Sequence, residues 1–211
     1  MPQPPRYTLN ELLAMIDEPN QSICRRLISD HPLRFNAAAG SSRIHQAWQG
    51  GYHDHVVEAM NLVVVDYRAW EPLGRFELLP PEQRFALSDA LVVLFWHDIE
   101  KSWRSRLDES GNIIFKPDGS VAMDASLATK EQRAEYAARI IVQYGVVLSL
   151  AMRNALKYVE GIRDSDYTPN EPLMWPLAVL CHRADLASAR AFREYPLAQN
   201  DPWGGACRSA R

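Results

Sequence analysis

Three short stretches of this 211-residue chain carry residues that can do chemistry together. HQAWQGGYHDH (45–55) brings histidines to either side of a Gly-Gly pair. LVVLFWHDIEK (91–101) ends an apolar run on an adjacent His97 and Asp98. AVLCHRAD (178–185) ends another apolar run on Asp185. Imidazoles and carboxylates together form a ligand set for a divalent cation, and such a cation lowers the pKa of a bound water and polarises phosphorus. Any one of these residues alone would read as an ordinary buried, hydrogen-bonded His or Asp. The ordered set is what points to a metal.

The three motifs, in this order, resemble those of the HD-domain metal-dependent phosphohydrolases. The likeness runs from about Ser41 to about Ala189. GGYHDH looks like the family's first ligand segment, in which a Gly-Gly turn opens a helix and a His follows four residues after the second Gly; this implies His55 rather than His53. HDIEK looks like the dyad segment and implies His97 and Asp98. HRADLASA looks like the closing segment and implies Asp185 as the last ligand. The resemblance implies an all-α helical bundle with the metal between helices, and phosphoester hydrolysis as the chemistry. Two departures stand out. Glu100 occupies a place where the family often has Gly, and Lys101 stands where other branches carry a catalytic Glu. No His occurs between His97 and His182, so a single-metal site is expected. Mn²⁺ is the preferred ion, with Fe²⁺, Co²⁺, Ni²⁺ or Zn²⁺ also suited and Mg²⁺ less favoured by imidazole.

Roles follow for the neighbours. Asp98 is the candidate proton acceptor as well as a ligand. Lys101, three residues on, projects from nearly the same helical face and is a candidate phosphate contact. His45 and Arg43, in the loop before the first ligand, and His182, one turn before Asp185, are candidate substrate contacts. His53 is read as pointing away and Glu100 as a solvated helix charge. Trp48, Trp96, Trp103 and Trp175 are read as core aromatics.

These residues need helices to hold them. Thr8-Leu9-Asn10-Glu11 is a capping-box pattern opening a short helix, and a second covers Ile23 to Ile28. Residues 30–50 read as irregular. Val56, Met60, Val63 and Val64 share one helical face just after His55. Pro80-Pro81 is taken to start the next helix, whose stripe is Leu87, Leu91, Leu94 and Phe95, and which continues through Trp103. NIIF and VAM flank Lys116-Pro117-Asp118-Gly119-Ser120, a turn signal that predicts a small β-hairpin over about 112–123. Helices over Glu131–Gln143 and Val146–Glu160 and a last one carrying Asp185 complete the expectation. It is a single all-α domain over 1–211, with an N-terminal helical extension (1–40), a metal-binding core (41–190) and an extended tail (196–211).

Hydrophobic residues make up 47% of the chain and the formal net charge is -3. Such a chain builds a sizeable core, and its charge fits a free nucleotide or nucleotide-like phosphoester better than an extended nucleic acid. The sequence MPQPPRYTLN lacks the apolar segment of a secretion signal, and no apolar run approaches a membrane span. Cys24, Cys181 and Cys207 show no close pairing, as in reduced cytoplasmic proteins. A non-catalytic nucleotide-sensing or protein-interaction module on the same fold is the competing reading, and the intact ligand set weighs against it.

Overall fold

The computed structural model describes residues 3–162 and 173–191. The expected tail over 196–211, Cys207 and the loop around Asp164 to Pro172 lie outside the described residues. What is described is predominantly helical. The helices are α1 (Leu9–Leu13), α2 (Asn20–Asp30), α3 (Pro32–Ala37), α4 (Gly51–Trp70), α5 (Leu87–Trp96), α6 (Lys101–Arg104), α7 (Lys130–Tyr144), α8 (Leu150–Tyr158) and α9 (Pro176–Leu186). A π-helical turn, Ala187–Ala191, extends α9. No described helix is long and apolar enough to cross a membrane.

Helix α5 is the axis of the bundle. Its sequence LSDALVVLFW is apolar on every side, and Leu91 through Trp96 are all essentially inaccessible. A helix of that kind must be wrapped, and α4, α8 and α9 wrap it. One continuous core runs from Leu12 and Leu13 through Val56, Met60, Leu91, Phe95 and Met152 to Leu177 and Ala184. The N-terminal helices belong to that core. Leu12, Leu13, Cys24, Leu27 and Phe35 are buried in it, and Asn61 of α4 clamps Tyr7 by accepting from its backbone N–H at 2.7 Å and donating to its carbonyl at 2.9 Å.

Helix ends follow local chemistry. Thr8 and Glu11 form the expected capping box on α1. Thr129 and Gln132 form another on α7, which stops at Gly145 with φ 70°. Ser149 then caps α8 by accepting from the Met152 N–H. The dyad helix departs from expectation. Pro81–Gln83 is only a 3₁₀ turn, Arg84 is extended, and α5 starts at Leu87, where Asp89 accepts from the Ala86 N–H at 2.8 Å. The region 30–50, read as irregular, contains α3.

Between α6 and α7 the chain folds on itself through isolated antiparallel bridges, Ser105 to Met123, Leu107 to Ile113 and Phe115 to Val121. The Pro117-Asp118-Gly119 turn forms as its residues dictate. The Gly119 N–H bonds to the Lys116 carbonyl, the Lys116 N–H bonds to Ser120, and Gly119 takes φ 76°. That is a type I turn closed by a left-handed residue. The bridges never join into a continuous ladder. A small satellite core of Ala39, Ile113 and Val121 lies under this segment.

Candidate metal centre

The first ligand is placed by two glycines with different tasks. Gly50 sits at the N-terminus of α4 with φ 79°, a conformation that costs a side-chain-bearing residue. Gly51 has a negative φ but no room: a Cβ there would lie 1.9 Å from the Gln46 carbonyl oxygen. The loop 40–50 is therefore pressed directly onto the start of α4. One turn later His55 points inward from α4, fully buried. His97 and Asp98 leave α5 where it ends. The segment does not continue as one helix; a turn over 97–100 separates α5 from α6, and this swings Asp98 toward His55. Asp185 arrives from the last turn of α9.

The four side chains meet. His55, His97, Asp98 and Asp185 each offer one ligand atom, and these atoms all lie within 4.8 Å of one another. His55 Nε2 is 3.5 Å from Asp98 Oδ2 and 3.2 Å from Asp185 Oδ1. His97 Nε2 is 3.2 Å and 3.4 Å from the same two oxygens. Both Nε2 atoms are buried and neither has a hydrogen-bond partner. The short N···O distances are thus close approaches with angles unsuited to hydrogen bonds. Two orphaned imidazole nitrogens facing two carboxylate oxygens is the arrangement a cation satisfies. The group can hold a metal ion.

The outer nitrogens show which tautomer is present. His97 Nδ1 is 2.8 Å from the Leu94 carbonyl, so Nδ1 carries the proton and donates it there. His55 Nδ1 is 3.0 Å from Ser188 Oγ, and Ser188 Oγ donates to Glu58 Oε2 at 3.0 Å. The hydroxyl proton being spent on Glu58, Ser188 accepts from His55 Nδ1–H. Each ring thus leaves Nε2 as the atom that faces the centre, there to hold a proton or, with that proton displaced, a cation, as metal-ligating histidines oriented by outer partners do. Gln46 Nε2 holds the Ser188 carbonyl at 3.0 Å, tying the loop before α4 to the π turn after α9. Sequence reasoning missed Ser188, Glu58 and Gln46. A signal existed for Glu58 alone: it lies three residues after His55 and interrupts an otherwise apolar face.

The electrostatics are those of a cation site. Burial by itself would raise the Asp98 carboxyl, but Lys101 and the two imidazoles hold it well below the usual range. Asp185 is likewise lowered by His55 and His97 against its burial. Burial disfavours a charged His97, yet Asp98 and Asp185 outweigh that and lift its pKa well above the ordinary value. Lys101 is buried with its ammonium on Asp98 Oδ2. Burial opposes its charge, but Asp98 overcompensates and raises its pKa. Glu100, expected on the surface, is 7% exposed, and burial followed by the Asp98 charge pushes it up to about 7.

The remaining candidates sort by position. His45 lies beside the cluster, its ring centroid 6.2 Å from that of His55 and its Nδ1 buried without a partner. Burial, then the Lys101 and His55 charges, lower its pKa to about 4, so it is neutral. Arg43 is exposed and pairs with Asp118 at the tip of the bridged segment. His182 is half-buried and donates from Nδ1 to the Val159 carbonyl at 2.6 Å, joining α9 to the end of α8. His53 turns away toward Asp54 and the ring of Phe35. Trp48 and Trp96 are buried, and Trp48 Nε1 donates to Asp54. Cys181 is buried one turn before Asp185, and burial pushes its thiol up.

The chain matches no family model, no curated protein and no solved structure. The functional reading therefore rests on the residues and their geometry.

Proposed function

We propose that this chain is a metal-dependent phosphohydrolase on an HD-domain-like bundle, acting on a nucleotide or nucleotide-like phosphoester. One observation carries the reading: two buried imidazole nitrogens with no partner face two carboxylate oxygens inside a 4.8 Å cluster. His55, His97, Asp98 and Asp185 would hold one divalent ion, with Mn²⁺ our choice among the ions this donor set suits. Such an ion supplies an acidified water and a Lewis acid for the phosphoryl oxygen.

The chain's own residues do the rest. Ser188 and the Leu94 carbonyl fix the two rings. Asp98 Oδ2, shared among His55, His97 and Lys101, stays ionised and is assigned as proton acceptor. Lys101 balances its charge and presents an ammonium to a phosphate oxygen. His45 offers a neutral ring beside the cluster.

Elemental analysis of the purified protein, joined to a phosphate-release screen over nucleoside mono-, di- and triphosphates and cyclic nucleotides, tests the proposal. About one bound ion per chain and metal-dependent turnover of at least one compound are expected. A bound ion with no turnover anywhere would favour a nucleotide-sensing module instead, and a chain that binds no divalent ion would end the reading.

A further inference from the structure

Among the described residues, Gln46 alone combines a side chain with a positive φ, at 44°. The left-handed region is unfavourable for such a residue, and outliers of this kind persist only where the surroundings over-determine them. Here two glycines do so. The Gln46 carbonyl accepts from the Gly40 N–H at 2.9 Å. A Cβ on Gly40 would lie 2.9 Å from the Gln46 Cβ, and one on Gly51 would run into the Gln46 carbonyl. The backbone at Gln46 is clasped between the start of its loop and the start of α4.

The side chain of this residue, which is 1% exposed, ends on the π turn after α9. Its Nε2 donates to the Ser188 carbonyl at 3.0 Å and lies 3.4 Å from Ser188 Oγ. A carbonyl only accepts, so this contact sets which way the amide faces. The other end of the amide, Oε1, is buried with no partner among the described residues. Burial normally demands one. The backbone angle and the orphaned oxygen are two unfavourable features that accompany one contact. Ser188 in turn accepts from His55 Nδ1 at 3.0 Å and donates to Glu58 at 3.0 Å. Both bonds depend on where the π turn stands. Such turns are short irregular pieces of helix, frequent at functional sites, and Gln46 tethers this one from outside.

We infer that Gln46 is a positioning residue of the metal centre: it holds Ser188 where its hydroxyl orients the His55 ring, and so tightens the site on its ion. The inference rests on the metal-centre reading above. It gives Gln46 no contact with the ion or with substrate.

Calorimetric titration of the full-length protein with Mn²⁺ tests this, with circular dichroism confirming the fold of each variant. Gln46→Met keeps the length and bulk of the side chain and, because Oε1 has no partner, deletes only the contact with Ser188. It should weaken Mn²⁺ binding about tenfold, the low end of what losing a ligand's outer partner costs, since Ser188 itself remains. Gln46→Asn accepts the left-handed backbone more readily but is one methylene too short for Ser188. It should resist denaturant better than Gln46→Met and yet bind Mn²⁺ as weakly; a purely structural role would make affinity follow stability. Adding Gln46→Met to Ser188→Ala should lower affinity little further, because both act through one hydroxyl. Undiminished affinity in Gln46→Met, affinity restored in Gln46→Asn, or losses that multiply in full in the double variant would each overturn the inference while leaving the metal centre standing. A wild-type protein that takes up no divalent ion would end both.

Discussion

Ser188→Ala isolates the support of the metal centre from the centre itself. Ser188 is fully buried, and its hydroxyl stands between His55 Nδ1 at 3.0 Å and Glu58 Oε2 at 3.0 Å. Removing it takes one partner from the Glu58 carboxylate and leaves the buried ring N–H of His55 without its acceptor, at about 1–3 kcal/mol for the ring N–H. The metal-free protein should therefore melt lower. The more telling effect is on affinity. With Nδ1 untethered, the His55 ring is free to rotate and its tautomer is no longer fixed, and loss of such an outer partner typically costs 10- to 100-fold in metal binding. At saturating metal this is about 1.4–2.7 kcal/mol of lost ligand-induced stabilisation. A domain of this size shifts by roughly 2–4 °C per kcal/mol. The Mn²⁺-induced rise in Tm should thus shrink by about 3–10 °C, on top of the drop in the metal-free form. Differential scanning calorimetry with and without Mn²⁺, at one fixed free-metal concentration, reads both. If the metal-free Tm fell but the Mn²⁺-induced rise stayed the same, Ser188 would be a packing residue and the argument for an ordered tautomer would be refuted.

Further outcomes follow. Asp98→Ala should remove the metal and all phosphoester hydrolysis, whereas Lys101→Ala should keep the metal and lose roughly ten- to a hundred-fold in rate, the worth of one charge-assisted hydrogen bond; metal content and turnover of both variants decide it, and full activity in metal-loaded Asp98→Ala would move catalysis elsewhere. Gly51→Ala should destabilise by about 3 kcal/mol or more in denaturant unfolding, since its Cβ would meet the Gln46 carbonyl at 1.9 Å. Gly50→Ala, which need only accept φ 79°, should lose about 1–2 kcal/mol. Cys24, fully buried and with its thiol pushed up to about 12 by burial, should resist alkylation at pH 8 in the folded protein and react once denaturant is added, as read by peptide mass spectrometry; ready labelling of the native state would contradict the core packing.

The ligands were legible because each sits at a break in an apolar pattern. His55 precedes the stripe of α4, His97 and Asp98 end the run of α5, and Asp185 ends that of α9. Side chains at such breaks are where a bundle turns chemistry inward. The start of α5 was misread because a Pro pair satisfies the first position of a helix equally well in a 3₁₀ turn, and nothing local distinguishes the two. Glu100 was misread for a related reason. A helix charge is usually solvated, but Glu100 follows the buried Trp96 by four residues and is itself buried beside Asp98 and Lys101. Ser188 and Gln46 were invisible. Their partners are 133 and 142 residues away in the chain, and a Ser or Gln in isolation carries no sign of what it will touch.

The spacing of the ligands along the chain has a mechanical consequence. From His55 to Asp98 is 98 − 55 = 43 residues, and from Asp98 to Asp185 is 185 − 98 = 87. An ion at their meeting point closes two long loops at once, acting as a removable cross-link between the first turn of one helix, the turn beyond the next and the end of the last. Only the folded chain brings these atoms together, so binding free energy becomes folding free energy. The end of α9 is the member that reaches the centre last along the chain, through Asp185, with Ser188 and Gln46 tying the turn beyond it to His55 and to the loop before α4. Chelation should loosen that end ahead of the rest, exposing it to proteases while α4 and α5 hold, so that metal supply would set the lifetime of the protein as well as its activity.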